Sequence, residues 1–443
     1  MKKYLVGLSL WSLSVGGALA QPAPQVLPLD QAIQLALKNN KGLKLADSRT
    51  QAAQARAQEV KDRNLPQATA SLAYSRYSLT GPFAFGEGSD GKPLFGIPAG
   101  SFPATIGGVT VSKEVFGGFA EKSAKLSADL LAQASKLDAQ RNREELVYTV
   151  TEAYYNIVKL IRSTAVIEQN IRQFDERERE AKNLQKEGVV TANEVLKIQL
   201  QRNNLQLSRQ QVEKSRQTAL YNFGLLIGQP DNQPISVDTT LRNPATTLAP
   251  MSDFLTKAVQ VRPEVQANNL RVQAADAQLT NVKSAMYPHL GVSAGYNYIN
   301  PSARVIPEGN SFISAWNVGA GISYNIGSLY NLKGRLNTAK TAIDQATIQG
   351  QQQTDQIRSE VVTAYNNYQL AIEQQSVIRT AVDQAQENYR LAESRFRNGL
   401  VGSTDLLEAD SFLIQAQLNV INATVDAQLA YQRLLKASGI NLN

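Results

Sequence analysis

Few side chains in this chain could do covalent or metal chemistry. Its 443 residues include no cysteine and one histidine, His289. Disulfides, thiolate nucleophiles and thiolate metal sites are therefore excluded, and so are His-rich metal sites. A Ser–His–Asp site would have to use His289, which follows the helix-stopping Pro288 and reads as a helix-to-strand junction. Paired carboxylates could hydrolyse a glycosidic bond, but nothing in the sequence converges on a pocket for one. The best-placed acids are Asp405 and Glu408. They lie three residues apart, on one face of a helix, in the first turns after Ser403 or Thr404, either of which can cap. Their elementary task there is to complement the positive helix N-terminus. The inventory points away from an enzyme, a cofactor or a metal site.

The element that must position these acids is a long helical rod, and it occurs twice. Between Gly118 and Gly188 the chain has no proline and no internal glycine, and Leu146, Val150, Ala153, Ile157, Leu160, Ile167, Ile171 and Phe174 recur in heptad steps. Such a seam imposes a left-handed supercoil on a helix, and about 70 residues would extend about 105 Å. A shift of 211 reproduces the seam as Ile357, Val361, Ala364, Tyr368, Ala371, Ile378, Val382 and Ala385. The rods are expected over 118–187 and 329–398, each ending at a glycine, Gly188 or Gly399. Returning helices are expected over 191–226, restarted by the capping-box spacing Thr191-Ala-Asn-Glu194, and over 403–438. Short connections make each rod and its return an antiparallel hairpin. Upstream, a shift of 222 superposes Leu29–Tyr77 on Met251–Ile299, so the chain is a tandem duplication with an 11-residue insertion in the first half. Asp30 is expected to cap a first helix over Gln31–Lys38, and a second helix to run to Leu65 before Pro66.

Between the short helices and each rod the period falls to two. Leu290, Val292, Ala294, Tyr296 and Tyr298 alternate with glycine, serine and asparagine, as do Trp316, Val318, Ala320, Ile322, Tyr324 and Ile326. Weaker copies cover 68–79 and 105–115. Strands of about ten residues with one greasy face and one small polar face suit a transmembrane β-barrel. Tyr74, Tyr77, Tyr298, Trp316 and Tyr324 lie toward strand ends, where interfacial aromatics belong. Gly81–Pro103 and Asn300–Ser314 read as exposed hairpin loops.

Residues 1–20 read as a secretory signal peptide: Lys2 and Lys3, an apolar run, then Ala18-Leu19-Ala20. Residues 21–228 form the first repeat, 229–250 a proline-bearing segment between repeats, and 251–443 the second. The formal net charge of +7 is spread along the helices. Dispersed charge on an exported chain argues against nucleic acid as a partner. One chain offers only four membrane strands, and open sheet edges are not tolerated in hydrocarbon. Several protomers must therefore share one barrel. A coiled-coil adhesin or surface stalk is the alternative; it would account for the rods but not for the dyad-patterned strands or the duplication.

This duplicated order of helix, hairpin, long rod, glycine turn and returning helix resembles the TolC-like outer-membrane efflux proteins over essentially the whole mature chain. Glu187-Gly188-Val189 and Asn398-Gly399-Leu400 look like the family's Val-Gly-Leu tip turns, with a different first residue in both copies. The resemblance implies an outer-membrane exit duct for efflux or type I secretion. The fold would be mostly α with a β-barrel: long antiparallel coiled-coil hairpins in an α-barrel, and four transmembrane strands per protomer of a trimeric 12-stranded barrel. It implies a homotrimer, a periplasmic adaptor docking at Gly188, Val189, Gly399 and Leu400, an inner-membrane transporter, and outer-membrane lipid around the strands. It also implies carboxylates closing the tunnel six and nine residues after the second tip glycine, here Asp405 and Glu408, with Glu194 six after the first. The family's tyrosine three before the second glycine is Phe396 here, so any hydrogen bond it made is absent.

Overall fold

A computed structural model describes residues 26–229 apart from 82, 88, 91–92 and 98, then 235–240, 248–300, 312–398 and 400–440. The expected leader, Gly399, and parts of the 229–250 and Asn300–Ser314 segments lie outside the described residues. In chain order the elements are β1 (Val26–Leu27), α1 (Leu29–Asn39), α2 (Lys41–Asp62), β2 (Gln67–Leu79), β3 (Phe83–Glu87), β4 (Pro93–Ile97), β5 (Gly100–Gly117), α3 (Ala120–Lys186) and α4 (Ala192–Ile227). The second half follows with β6 (Ser236–Val237), α5 (Met251–Val261), α6 (Pro263–Lys283), a 3-10 turn at Ser284–Met286, β7 (His289–Asn300), β8 (Ile313–Ser323), α7 (Gly327–Tyr330), α8 (Leu332–Arg397) and α9 (Ser403–Ala437). Helices α3 and α8, 67 and 66 residues long, carry the heptad seams. Two compact units divide the chain. One is drawn from residues up to Asn40, Thr149–Asn243 and Gln374–Leu429; the other from Lys41–Tyr148, Pro244–Glu373 and Ala430–Asn443.

The second unit holds an antiparallel four-stranded sheet in the order β2-β5-β7-β8. Its register carries the alternation of single strands across the whole sheet. Ala70, Val109, Tyr296 and Trp316 lie in one row, and Ala68, Val111, Ala294 and Val318 in the next on the same face. The opposite face aligns Thr69, Thr110, Gly295 and Asn317. Because side chains alternate strictly, one face is apolar across its central rows, with Leu72, Trp316, Val318 and Ile322 among its most exposed residues, and carries Arg76, Thr105 and Lys113 toward its ends. The other face is small and polar. Its glycines sit against asparagines: a Cβ on Gly295 would sit 2.7 Å from Asn317 Oδ1, and one on Gly108 2.8 Å from Asn297 Oδ1, so those amides would have to turn aside. Among the described residues no helix is long and apolar enough to cross a membrane.

Several boundaries differ from the sequence expectation. β8 ends at Ser323 instead of continuing to residue 326, because β7 starts at His289, paired with Ser323, and offers no partner beyond. The Gly81–Pro103 connection contains a hairpin of its own, with Phe83 opposite Ile97 and Phe85 opposite Phe95. Helix α1 begins at Leu29 with Pro28 in the cap position and no side-chain cap. Asp30 is thus a first-turn acid, acting on the helix dipole and not as the cap. The rest of this unit is cored by the second seam: Ile357, Val361, Ala364 and Tyr368 pack with Phe254, Ala258 and Leu434. Each large apolar side chain so buried contributes about 1.5–3 kcal/mol.

The first unit is helical apart from a short parallel pairing of β1 with β6. Its core joins Ile167, Ile171, Phe174 and Ala181 of α3 to Val195, Ile198 and Leu205 of α4 and Ile414 of α9. The Asn40 amide donates to Leu226 O at 3.0 Å, satisfying one of the carbonyls that the C-terminus of α4 leaves unpaired.

Candidate functional site

The site lies in the first unit, where α3 gives way to α4 and α8 to α9. Helix α3 ends because Gly188 adopts φ +74°, the left-handed conformation that glycine takes without Cβ strain. Val189 N–H then donates to Leu184 O at 2.9 Å and Gly188 N–H to Gln185 O at 3.0 Å, the paired bonds of a Schellman turn. At the second turn Leu400 N–H donates to Arg395 O at 2.9 Å, the same long-range closure. Both turns present their following apolar residue to solvent, Val189 at 66% and Leu400 at 73% exposure. A C-cap alone does not require an exposed valine or leucine at that place.

Thr191 occupies the N-cap position of α4, but no side-chain capping bond forms, so the expected capping box is absent. The Glu194 carboxylate is turned to the other repeat: Oε2 accepts the Ser403 N–H at 3.2 Å. Lys197, one turn on, faces Glu194 Oε1 at 3.4 Å and donates to Thr404 Oγ1 at 2.9 Å. The first returning helix therefore caps the second. This engages an orphan N–H of α9 and puts negative charge at its positive end.

Asp405 and Glu408 share the exposed side of α9, while Leu406, Ala409 and Asp410 face inward. The acid buried at this end is Asp410, whose side chain is 3% exposed. Arg177 Nη1 donates to its Oδ2 and Arg177 Nη2 to the Tyr389 hydroxyl. The guanidinium also lies over the Phe174 and Tyr389 rings, 5.2 and 5.1 Å from their centroids. One charged group thus ties α3, α8 and α9 together. Burial pushes the Asp410 carboxyl above its ordinary value, and Arg177 only partly offsets this. Burial also works against the Arg177 charge, yet Asp410 outweighs it and holds the guanidinium above its usual range. The Tyr389 hydroxyl, raised first by burial, stands at about 12 and stays protonated at neutral pH.

A shift of 211 relates Tyr389 to Glu178 and Asp410 to Gln199, and in the first repeat those two side chains also meet. Gln199 donates to Glu178 Oε1 at 2.8 Å, Lys182 approaches the same oxygen at 2.6 Å, and Arg202 Nη1 reaches Oε2 at 2.5 Å. The Lys182 hydrogen bond, helped by Gln199 and the Arg202 charge, holds Glu178 below the ordinary carboxylate value against the cost of burial. Sequence reasoning missed Asp410 and Tyr389, although both fall on seam positions: Tyr389 four residues after Ala385, Asp410 four before Ile414. A polar residue at a seam position was the available signal. Phe396, seven residues after Tyr389, is half-buried and lines a cleft with it.

Known proteins share the overall sequence and fold of this chain. The family model for outer membrane efflux proteins matches residues 32–229 and 254–440. The outer membrane efflux protein BepC of Brucella suis is 22% identical over 388 residues, 86% of this chain and 80% of the relative. The pyoverdine export outer membrane protein OpmQ of Pseudomonas putida is 26% identical over 427 residues, 93% and 85% of the two chains. Among solved structures, the outer-membrane channel OprN superposes with a TM-score of 0.77 at 20% identity, over 93% of this chain and 90% of its own. CusC superposes at 0.80 with 16% identity, over 96% of each chain. The two-faced sheet and the helical hairpins have the fold of solved TolC-like outer-membrane channels. This chain belongs to the outer membrane efflux protein family. It is an outer-membrane efflux channel and not an enzyme.

Proposed function

We propose that three copies of the chain close one 12-stranded barrel in the outer membrane and one α-helical tunnel beneath it. The assembly would serve as the exit duct for a periplasmic adaptor and an inner-membrane transporter. The observation that carries this reading is the sheet itself. One face of it is apolar across the central rows, and β2 and β8 are its edges. Each edge residue left unpaired in hydrocarbon costs several kcal/mol, so a lone four-stranded sheet is not a viable membrane element, whereas edge-to-edge closure of three removes every edge. Known single-chain outer-membrane barrels use at least eight strands, which one protomer cannot supply.

In this reading residues 1–20 direct export and are removed. The helical ends reach into the periplasm, and the exposed Val189 and Leu400 beside the tip glycines are the adaptor contacts. Asp405 and Glu408, exposed on one side of α9, are repeated by the three-fold axis as two rings of carboxylates. Such rings favour cations over anions and, at a narrow end, help keep the duct shut. Mass measurement of the detergent-solubilised protein and recording in lipid bilayers test the proposal together. A trimer with cation-selective conductance is expected, and Asp405→Ala with Glu408→Ala should lower cation preference and raise resting conductance. A membrane-inserted monomer, or a trimer without conductance, would overturn the channel reading. A double variant identical to wild type in both quantities would remove the gate from these acids.

A further inference from the structure

Beside the Arg177–Asp410 pair lies a cleft of about 280 Å³, walled by α3, α8 and α9 and floored by α4. It matches the volume of about nine waters at roughly 30 Å³ each, just below the range of drug-sized sites, about 300–1,000 Å³. Its apolar walls come from Leu184, Leu406 and Leu407, and the Tyr389 and Phe396 rings supply aromatic surface. The cleft's charge is not balanced. Arg177 is neutralised by Asp410 and Arg397 by Glu393, whose Oε1 it meets at 3.1 Å. Glu176 and Glu180, one helical turn apart on the rim, have no hydrogen bond or ion pair among the described residues. Like charges at that spacing repel one another.

An independent feature points into the same cleft. Ser403, which lines it, is 1% exposed, and its hydroxyl has no hydrogen-bond partner. Buried hydroxyls are normally satisfied, and each exception calls for an explanation. Its backbone N–H is already given to Glu194, so the side chain is the group left without a role. Apolar walls, aromatic faces that favour a cation, an unpaired carboxylate couple and an unused hydroxyl acceptor are complementary to one kind of molecule.

We propose that this cleft binds a small primary arylalkylammonium: the aromatic body against Tyr389, Phe396 and the leucines, the charge toward Glu176 and Glu180, and an ammonium N–H donated to Ser403 Oγ. The site belongs to a single protomer and stands whether or not the protein conducts. Because the bound molecule would touch α3, α8 and α9 at once, it would hold the two repeats together at this end.

The test uses the full-length protein in detergent, with 1-naphthylmethylammonium as the probe and its own fluorescence as the readout, corrected for empty micelles. Saturable binding with a dissociation constant on the order of 1 mM is expected for a ligand of this size. The anion 1-naphthaleneacetate, with the same ring, should show at least tenfold weaker binding. Glu176→Gln with Glu180→Gln should weaken the probe about tenfold and Ser403→Ala severalfold, with the oligomer mass unchanged. Asp405→Asn with Glu408→Gln should leave binding as it is. No saturable component would overturn the proposal. So would equal binding of the anion, no change in the Glu176/Glu180 variant, or loss only in the Asp405/Glu408 variant.

Discussion

Removing the Asp410 carboxylate should open the end of the helical hairpins locally without dissolving the fold. In Asp410→Ala the Arg177 guanidinium, whose side chain is 15% exposed, keeps its charge but loses its counter-ion. Breaking a buried ion pair from one side costs about 3–5 kcal/mol. Here the Tyr389 hydroxyl and the two aromatic faces still contact the guanidinium, so the lower end, about 3 kcal/mol, applies. If the loss falls on the opening of α9 near Asp410, its amides should exchange faster by roughly 100-fold, at about 1.4 kcal/mol per factor of ten. Hydrogen exchange by mass spectrometry on the intact assembly reads this in peptides covering 403–415, with 357–368 as the internal reference. Arg177→Met with Asp410→Leu should restore exchange to within about tenfold of wild type, because replacing both partners with apolar groups leaves no stranded charge. Acceleration below fivefold in Asp410→Ala, or a double variant as labile as the single one, would refute the assignment of this pair as the tie between the helices.

Three further outcomes follow from other parts of the molecule. Replacing Val189 and Leu400 with Asp should abolish export while leaving oligomer mass and bilayer conductance intact; normal export in that variant would reject docking at the two turns. Gly118 holds φ +62° where a Cβ would come within 2.7 Å of Ser284 O, so Gly118→Ala should cost about 1–3 kcal/mol, read as a lower melting temperature of the purified assembly. The lowered Glu178 carboxyl contributes stability that is complete above its unfolded value near 4.5 and is lost as pH falls through the lower folded value. Glu178→Gln should therefore flatten the acid limb of a stability–pH curve, and an unchanged limb would place that dependence on other groups.

What could be read from the residues alone was whatever has a short period. The heptad steps from Leu146 to Phe174 determine a buried stripe whatever it packs against, and Ile167, Ile171 and Phe174 are indeed buried. The dyad alternation of Leu290–Tyr298 likewise anticipates a two-faced strand, because side-chain direction follows from the backbone. Gly188 announced a left-handed turn for a reason local to one residue. Features decided by distant partners were not legible. The seam spacing to Ile414 marks the position of Asp410 for burial, but nothing near it supplies the charge partner, which is Arg177, more than 200 residues away. The Thr191–Glu194 spacing has the form of a capping box, yet the carboxylate goes to Ser403 because that N–H is also unpaired and lies within reach. The β3–β4 hairpin was hidden by glycines and prolines, which mark turns but do not exclude short strands between them.

The order of strands in the sheet has a consequence for how the protein is made. The two central strands come from opposite repeats: Gly117 pairs with His289, about 170 residues further along the chain. The β2–β5 hairpin therefore leaves the ribosome long before the strand that completes its inner edge exists. Pairings of such sequence separation are slow, because loop closure must precede any gain in contacts. Through that interval the first hairpin carries its greasy face and an unpaired edge together, the combination most prone to aggregation. Productive biogenesis should depend on something holding the first hairpin open until the second arrives. A chain truncated after α6 should then be retained by periplasmic chaperones or degraded, and not inserted as half a sheet.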